Sequence, residues 1–421
     1  MKILFVYPRF AKFFSYHPLM ASSCKDYIIG SYSAPPSLGI PILSALTPPN
    51  HDVRFVNDNT GDPVPYDEHF DLVAISYFTP QAIRAFEIGD EFRRRGVTVI
   101  AGGIFPTSCP EQAREHADSV HIGEAELTWQ GILSDAERGA LKPLYNGGLV
   151  SDLARIPIPD RNIYYGNAKY RWNADMLQVG RGCFYNCPTC VVPGNFGKAI
   201  RFRPIERVVQ ELETLEFKMF YLAEDSVFFT APECVEYATR LFEALKPYGK
   251  RVFISTPPVI NTQPRFLDTL LEGGLSVVYM TFLLDPISNR ALSQPGSDAY
   301  REMVETVRSL QKRGVKLYAA FWLGHDLHDE GIVDTCLNFI ADAEISVAEF
   351  NVYTPYPNTR MYRTLSTQGR ILHRDWSRYN GAHVAFVPKQ VSPERLQELY
   401  LDAWTRFCSS IDMKESSAWI T

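Results

Sequence analysis

The chain has 421 residues, of which 46% are hydrophobic and 21% are charged, so its composition is that of a folded globular protein and not of a disordered one. The formal net charge of −6 at pH 7 argues against a broad nucleic-acid-binding surface, which normally carries an excess of lysine and arginine. No apolar run is long enough to span a bilayer, and the N-terminal run MKILFVYP is too short for a signal peptide, so a cytoplasmic location is expected.

The N-terminal third of the chain alternates short apolar runs with amphipathic segments. The segments between the runs have helical periodicity, and the runs that predict strands are KILFVYP, DVRFVND, DLVAISY, VTVIAGG and SVHIG. Such alternation indicates a parallel sheet with helices on both faces. The sequence therefore predicts a doubly wound, Rossmann-like α/β domain over residues 1–140, which would bind its ligand at the carboxyl ends of the strands.

A second series of strands and helices follows a segment rich in proline and glycine. Residues 141–170 have few periodic apolar positions and are expected to form a linker. The later runs that predict strands are MLQVGRG, FKMFYLAED, RVFIST, SVVYMTFLL, KLYAAFWLG and EFNVYTPYP. Six strand–helix units predict a partial (β/α)6 barrel over residues 171–371, followed by a small helical extension over residues 372–421.

Three cysteines lie on the loop after the first predicted strand of this barrel, in the segment RGCFYNCPTC. The spacing Cys183-x3-Cys187-x2-Cys190 leaves three readings open. Three thiolates can bind three irons of a [4Fe–4S] cluster and leave the fourth iron to a ligand that does not come from the protein. The alternatives are a zinc site completed by a distant histidine or cysteine, and a chance grouping of cysteines.

The segment CFYNCPTC resembles the CxxxCxxC motif of radical S-adenosylmethionine (SAM) enzymes. The segment from Asp71 to Glu126, which ends in HIGEAE, is similar to the front domain of the cobalamin-binding class of these enzymes. The segments RFRPIERVVQELE, VYTPYPNTRMY and DWSRYNGAHVAFVP resemble the branch that contains hopanoid and bacteriochlorophyll methylases and the anaerobic ring cyclase of chlorophyll synthesis. The resemblance extends over roughly residues 1–390.

This resemblance implies three cofactors, namely a [4Fe–4S] cluster, SAM and cobalamin. Cys183, Cys187 and Cys190 would bind the cluster, whose open iron would hold SAM for cleavage to a 5′-deoxyadenosyl radical. The candidates for SAM binding follow later barrel strands, and they are Glu224, Asp225, Ser255, Thr256, Asp285 and Tyr353. The candidates for cobalamin contacts are Ser76, Tyr77, Phe78, Thr79, Gly102, Gly103, Phe105, Pro106, Thr107, Gly123 and Glu124.

The sequence departs from the family at the expected cobalt ligand. Many cobalamin domains carry an Asp-x-His-x-x-Gly motif after their first strand, and nothing of the kind follows KILFVYP. The same spacing occurs at Asp326, His328 and Gly331, but there it follows a barrel strand and is interpreted as a polar loop. The expectation is therefore a cobalamin held without a histidine ligand from the protein. A second departure is Thr189, which stands where relatives place an aromatic residue before the third cysteine.

The activity that the resemblance implies is a cobalamin-dependent radical SAM methyltransferase that methylates an unactivated carbon. Three alternatives remain: cyclisation, oxidation or rearrangement with the same cofactors, a cobalamin-binding sensor or carrier, and a radical enzyme whose front domain has lost cobalamin. The branch favours a small-molecule substrate that is hydrophobic or a tetrapyrrole. An external electron donor of the flavodoxin or ferredoxin type is implied as partner.

Overall fold

The structure, a computed structural model, describes residues 1–10, 37–165, 174–224, 231–256, 263–283 and 294–411. These residues form two parallel six-stranded sheets with helices packed against them, and a helical C-terminal segment. The predicted α/β fold class is thereby confirmed. Among the helices that the structure describes, none combines the length and the apolar character that a membrane span requires. The candidate residues Asp225 and Asp285 lie outside the described residues.

The first sheet has the parallel strand order β2-β1-β3-β4-β5-β6. Its strands are β1 (Lys2–Tyr7), β2 (Asp52–Asn57), β3 (Leu72–Ser76), β4 (Thr98–Gly102), β5 (Ser119–Gly123) and β6 (Leu144–Gly148). The helices of this region are α1 (Gly39–Leu46), α2 (Ala82–Arg94), α3 (Ile104–Ser108), α4 (Pro110–Glu115), α5 (Trp129–Glu137) and α6 (Asn162–Tyr165). The order reverses between β1 and β3, which is where a doubly wound sheet opens a crevice for a ligand.

Both faces of this sheet are covered, as the apolar runs of the sequence predict. Along β1, Leu4 and Val6 pack into the apolar cluster on one face, while Ile3 and Phe5 pack into the cluster on the other. The structure differs from expectation at β6, which lies inside the segment predicted to be a linker. Its sequence LYNGG has one buried residue and no run of β-branched side chains, so the alternation that marks the other strands is missing.

The second sheet has the parallel order β14-β13-β12-β11-β10-β7 and begins at residue 175. The strands of this region are β7 (Asp175–Gln178), β8 (Gly180–Arg181), β9 (Arg201–Phe202), β10 (Met219–Ala223), β11 (Arg251–Thr256), β12 (Leu275–Phe282), β13 (Lys316–Leu323) and β14 (Ala348–Val352). The short strands β8 and β9 pair with each other as an antiparallel ribbon. The helices are α7 (Val192–Asn195), α8 (Ile205–Leu212), α9 (Pro232–Leu245), α10 (Pro264–Glu272), α11 (Asp298–Lys312), α12 (Ile332–Asp342), α13 (Arg360–Thr367) and α14 (Pro393–Ser410).

Side chains on the concave face of the second sheet are more polar than those that face the helices. Val278, Met280 and Phe282 of β12 are fully buried in the main apolar cluster of this half. Tyr279 points to the other side and donates a hydrogen bond to the carboxylate of Glu349 on β14 at 2.7 Å. Tyr318 on β13 donates to the same carboxylate at 2.6 Å. The interior of the partial barrel therefore carries a carboxylate held by two hydroxyl groups.

The C-terminal segment joins both halves of the molecule. Helix α14 packs on the barrel, where the indole Nε1–H of Trp404 donates to the carbonyl oxygen of Phe350 at 3.2 Å. Upstream, Trp376 packs in the apolar cluster of the first sheet, and its Nε1–H donates to Gln112 Oε1 at 3.1 Å. The extension was predicted as a small helical addition, but its burial against both sheets also fixes how the two halves face each other.

A buried ionic network ties the segment between the two sheets to the barrel. Glu211 on α8 is fully buried and accepts a hydrogen bond from Arg161 Nη2 at 2.6 Å. The guanidinium group of Arg203 pairs with the other oxygen of the same carboxylate. A further N–H of Arg161 reaches the carbonyl oxygen of Met176 on β7. One carboxylate thus pairs with two buried guanidinium groups, and Arg161 also lies 3.7 Å from the buried carboxylate of Asp175.

Replacing Glu211 with alanine should lower the free energy of unfolding by about 3–5 kcal/mol, because two buried guanidinium groups lose the carboxylate that they share. Denaturant unfolding followed by tryptophan fluorescence would measure this. The matched control is Glu236→Ala on the exposed face of α9, which should change stability by less than about 0.5 kcal/mol. Equal midpoints for the two variants would show that the network contributes nothing.

Candidate active site between the two halves

The carboxyl edge of the first sheet opens into a cavity of about 530 Å³. It extends over the ends of β1, β3, β4 and β5, and its apolar wall includes Phe5, Phe78 and Trp129. The second half of the chain closes the cavity with Met176, Gln178, Arg181, Asn195 and Phe196. The cavity therefore lies at the reversal of strand order in the first sheet and also at the junction of the two halves.

Most of the residues predicted to contact cobalamin line this cavity. The lining members of that set are Ser76, Tyr77, Phe78, Gly102, Gly103, Thr107, Gly123 and Glu124. Thr79, Phe105 and Pro106 are buried beside the cavity and do not line it. Phe105 packs its ring on Tyr77, with the two ring centroids 5.8 Å apart. The structure thus brings the three predicted loops together around one space, and their contacts with cobalamin remain a prediction.

Two glycines allow the loops at this edge to approach each other. Gly103 has a φ of 101°, and a Cβ atom there would lie 2.7 Å from the carbonyl oxygen of Tyr77. Gly123 has a φ of 80°, and a Cβ atom there would lie 2.6 Å from the carbonyl oxygen of Gly148. Residues with a side chain would meet both backbone strain and a steric clash at these positions. The floor of the cavity is therefore backbone, which a large ring can approach closely.

His121 contributes a neutral imidazole to the cavity. Its Nε2 lies 2.8 Å from Thr128 Oγ1, and this hydroxyl donates to the carbonyl oxygen of Ala125 at 3.1 Å. The histidine must then donate through Nε2, which leaves Nδ1 with its lone pair. Burial lowers the pKa of the His121 side chain to about 4, so the ring is uncharged at neutral pH. This histidine has no metal-ligand spacing in the sequence, although it stands two residues before the predicted Gly123.

Four charged side chains connect the cavity to the cysteine loop, and we call them the ionic junction: Glu124 and Arg181, which are buried, and Glu126 and Arg201, which are partly buried. Glu124 lies 2.7 Å from Arg201 Nη2 and 3.1 Å from Arg181 Nη1, and it accepts the N–H of Val150 at 2.7 Å. Glu126 Oε1 lies 2.6 Å from Arg181 Nη2. Burial by itself raises the pKa of the Glu124 carboxyl, but the hydrogen bonds from Arg201 and the charge of Arg181 outweigh it and hold that pKa below its usual range.

The cysteine loop starts directly after the ionic junction. Arg181 and Arg201 face each other in the β8–β9 ribbon, and Gly182 and Cys183 follow Arg181. Gly182 has a φ of 90°, and a Cβ atom there would lie 2.2 Å from the carbonyl oxygen of Ala199. The N–H of Cys183 donates to the carbonyl oxygen of Gly197 at 3.2 Å. The start of the loop is therefore fixed against the strand that carries Arg201.

The three cysteines differ in exposure, since Cys183 is buried, Cys190 is half-buried and Cys187 is exposed. Among the described residues, no three His, Cys, Asp or Glu side chains gather in a way that could hold a single metal ion. A [4Fe–4S] cluster does not require such convergence, because each thiolate binds a different iron. Three thiols on one loop, with no fourth cysteine in the motif, would fit a cluster with one open iron, and their binding of such a cluster remains a prediction.

The described candidates for SAM binding lie at the carboxyl edge of the second sheet. Glu224 is buried directly after β10, Ser255 and Thr256 end β11, and Tyr353 follows β14. Because these strands are parallel and the cysteine loop follows β7 and β8, all of them lie at the same edge of the sheet. Their contacts with SAM remain a prediction.

The Asp-x-His-x-x-Gly spacing lies on the loop after β13, within the barrel half of the molecule, as the sequence predicts. Asp326 pairs with Arg370 and with Lys389. His328 is buried, and its Nδ1 accepts the N–H groups of Gly324 and His325, each at 3.2 Å. The motif is thus part of a hydrogen-bonded polar loop and does not line the cavity of the first sheet.

Sequence reasoning missed the residues that close the cavity from the second half, chiefly Arg181, Gln178 and Asn195. The available signal was the position of Arg181 next to the cysteine motif, but an arginine at the end of a strand is usually solvated. Likewise, Glu126 was part of the recognised segment HIGEAE without a role assigned to it. Charged residues of this kind become recognisable only when their buried partners are known.

Comparison with known proteins agrees with this geometry. Residues 177–337 match the model of the radical SAM superfamily. The chain is 26% identical over 382 residues to the bacteriochlorophyllide d C-12(1)-methyltransferase of Chlorobaculum tepidum, covering 88% of this chain and 82% of the relative. It is 23% identical over 392 residues to the hopanoid C-2 methylase of Rhodopseudomonas palustris, covering 89% and 72%.

Two further matches extend the comparison. The chain is 23% identical over 241 residues to the anaerobic magnesium-protoporphyrin IX monomethyl ester cyclase of Cereibacter sphaeroides, covering 54% of this chain and 38% of that protein. The structure of the radical SAM methyltransferase TsrM from Kitasatospora setae, with cobalamin and a [4Fe–4S] cluster bound, superposes with a TM-score of 0.62 at 15% identity. That match covers 87% of this chain and 78% of TsrM, so the two share the fold.

The buried His121 should make the protein less stable in mild acid. Its pKa is about 4 in the folded chain, against about 6.5 in an unfolded one. Below pH 6.5 the unfolded chain binds a proton that the folded chain does not, so this contribution to stability is complete above pH 6.5 and is lost as the pH falls towards 4. The loss should approach roughly 3 kcal/mol.

Denaturant unfolding of the apoprotein at a series of pH values between 7.5 and 4.5 would measure this dependence. The variant His121→Gln should show a flatter profile, because the glutamine does not titrate. The control is His69→Gln, whose side chain is 81% exposed, and it should keep the wild-type profile. If His121→Gln kept it as well, the acid sensitivity would have to come from other groups.

Proposed function

This chain is a radical SAM enzyme, and we propose that it is a cobalamin-dependent methyltransferase that places a methyl group on an unactivated carbon of a small molecule. The observation that carries the proposal is the shared wall of two sites. Arg181 lines the cavity of the first sheet and stands two residues before Cys183, the first cysteine of the cluster motif. A methyl donor in the cavity and a radical source at the cysteine loop would therefore act on one substrate between them.

The residues of the cavity fit cobalamin. The floor is glycine backbone, the wall is apolar and aromatic, and the polar groups are few and fixed in place. The position at the reversal of strand order is the one that doubly wound sheets use for large ligands. The relatives named above support the assignment, since two are methylating enzymes and the solved structure of the same fold holds cobalamin.

When bound, the cluster with SAM supplies a 5′-deoxyadenosyl radical, and methylcobalamin supplies the methyl group. The chain holds these groups and keeps them in position. Cys183, Cys187 and Cys190 would bind the cluster, and the carboxylate of Glu224 at the edge of the barrel would bind the ammonium group of SAM by a charge-assisted hydrogen bond. In the cavity, the lone pair of His121 Nδ1 would accept a hydrogen bond from an amide N–H without adding charge.

We infer a hydrophobic substrate, with a tetrapyrrole as the first class to test. The relatives that methylate bacteriochlorophyllide d and hopanoids act on large apolar molecules. In this chain the mouth of the barrel carries the aromatic side chains of Trp322 and Tyr353, whose ring centroids are 5.7 Å apart. The one-electron chemistry also needs an external reductant, for which a flavodoxin or ferredoxin is the expected partner.

The runner-up activity uses the same cofactors without net methyl transfer. The observation in its favour is the partial match to the anaerobic cyclase, which covers 54% of this chain. In both activities the same residues would bind the cluster, SAM and cobalamin. The fate of the methyl group of SAM distinguishes them.

The cysteine motif gives a direct test of the radical half. The protein is purified anaerobically, supplied with iron, sulfide and hydroxocobalamin, and incubated with SAM and dithionite. We expect about four irons and one cobalt per chain, and formation of 5′-deoxyadenosine. Cys187→Ala should reduce 5′-deoxyadenosine to background and still bind cobalamin, whereas Cys109→Ala, outside the motif, should behave as the wild type.

The methyl half is tested with SAM that carries a deuterated methyl group, in the presence of a bacteriochlorophyllide and, separately, of a hopanoid. Mass spectrometry of a product heavier by one labelled methyl would establish methyl transfer. A product without label would favour the cyclase-type activity. Four irons without retained cobalt would leave a radical enzyme and remove methylcobalamin from the mechanism, and zinc in place of iron would contradict the assignment of the cysteine motif.

A further inference from the structure

We propose that the Glu126–Arg181 ion pair is a positioning device that couples occupancy of the cavity to the geometry of the cysteine loop. The inference rests on the proposed function, because it requires cobalamin in the cavity and a cluster on the loop. It assigns no chemical step to either residue. When a molecule binds in the cavity of the first half, the chain should hold the cluster of the second half more firmly.

Glu126 presents an unused hydrogen-bond acceptor beside the cavity. Its side chain lines the cavity and is only 9% exposed, and one carboxylate oxygen, Oε1, is engaged by Arg181. The other, Oε2, is buried and has no hydrogen-bond partner among the residues that the structure describes. A buried carboxylate oxygen without a donor is unfavourable. The periphery of a corrin ring carries primary amides, whose N–H groups are the donors that such an oxygen requires.

Arg181 transmits any movement of Glu126 because its guanidinium group is held at three points. Nη2 binds Glu126 at 2.6 Å, Nη1 lies 3.1 Å from Glu124, and Nε donates to Gln178 Oε1 at 2.9 Å. The side chain is 7% exposed, so the loss of a partner would leave part of a largely buried guanidinium group without a hydrogen-bond acceptor. A rigid, fully engaged arginine must either keep all three contacts or shift as a unit.

The backbone after Arg181 gives little room for compensation. Gly182 lies so close to the carbonyl oxygen of Ala199 that only glycine fits, and the N–H of Cys183 donates to the carbonyl oxygen of Gly197.

Arg201 connects the same segment to the first half, since its Nη2 donates to the carbonyl oxygen of Phe196 at 2.7 Å as well as to Glu124. A change at Glu126 therefore reaches the first cluster ligand through one side chain and two peptide units.

Glu126 is a better place for a test than Glu124. Glu124 holds two arginines and the N–H of Val150, so its removal would disturb several contacts between the halves at once. Within the described part of the chain, Glu126 pairs with Arg181 alone, and Glu126→Gln keeps the size of the side chain and an oxygen that can face Arg181. What the variant loses is the charge, which holds both Arg181 and the donor of a bound molecule more strongly than an amide does.

The experiment measures iron release from the reconstituted full-length protein to a chelator, with and without bound hydroxocobalamin. In the wild type, cobalamin should slow iron release by about fivefold or more, the lower end of typical coupling between two sites. In Glu126→Gln, at cobalamin concentrations that saturate the protein by absorbance and at equal starting iron, the slowing should disappear. The matched control is Glu68→Gln, an exposed partner of Arg54 in the same half, which should behave as the wild type.

Equal slowing in Glu126→Gln and in the wild type would overturn the inference. So would iron release in the wild type that does not respond to bound cobalamin, and in that case the proposed function would stand without the coupling. A wild type that binds no cobalamin would remove the proposed function itself. If Glu126→Gln cannot be saturated with cobalamin, the reciprocal equilibrium measurement decides. Cobalamin should bind the wild type more weakly when the cluster is absent than when it is present, and equal dissociation constants would refute the coupling.

Discussion

The arrangement of this molecule depends on one buried carboxylate, that of Glu124, between the guanidinium groups of Arg181 and Arg201. Glu124 belongs to the edge of the first sheet, and both arginines belong to the ribbon that precedes and follows the cysteine loop. Removing three charges from water is costly, and the cost is offset only when each group has several well-placed partners. Here the carboxylate also accepts a backbone N–H, and Arg201 also binds two carbonyl oxygens, those of Val150 and Phe196. Such a junction permits few relative positions of the two halves. A fixed position would suit chemistry that needs two cofactors at a constant separation.

The C-terminal segment reinforces this constraint by apolar packing. Trp376 and Tyr379 pack into the cluster of the first sheet, while Trp404 and Phe407 pack into that of the second. The segment therefore closes the molecule on a second side, far along the chain from the cysteine loop. Apolar contacts bring the two sheets together but are not directional, whereas the ionic junction has strict geometric requirements. The apolar contacts therefore hold the two halves together, and the ionic junction determines their relative orientation.

The sequence predicts the two parallel sheets because strands buried on both faces must be continuously apolar, and runs such as KILFVYP and SVVYMTFLL are. It predicts the loops around the cavity because parallel strands place their carboxyl ends at one edge. It does not predict β6, whose residues are mostly exposed and rich in glycine, nor the ionic junction. A glutamate after a strand and an arginine before a loop are normally solvated, and only the tertiary structure reveals that these are buried against each other. The cysteine motif is recognisable in the sequence from its spacing and its position after a predicted strand, and the binding of a cluster by its three thiols stays a prediction.

Two polar groups of the cavity, His121 and Glu124, have charges that their surroundings fix at neutral pH, and this matters for the proposed chemistry. Burial keeps His121 neutral, and the arginines keep Glu124 ionised. Radical reactions are sensitive to misplaced hydrogen-bond donors and to water. A site that hosts them therefore requires groups whose protonation and orientation are set before the ligands bind. The same holds at the interior of the barrel, where Glu349 is bound by the hydroxyl groups of Tyr279 and Tyr318. The carboxylates of Glu124 and Glu349 are therefore already oriented by protein donors, and Glu126, with one oxygen still open among the described residues, is the position at which a bound ligand would complete the pattern.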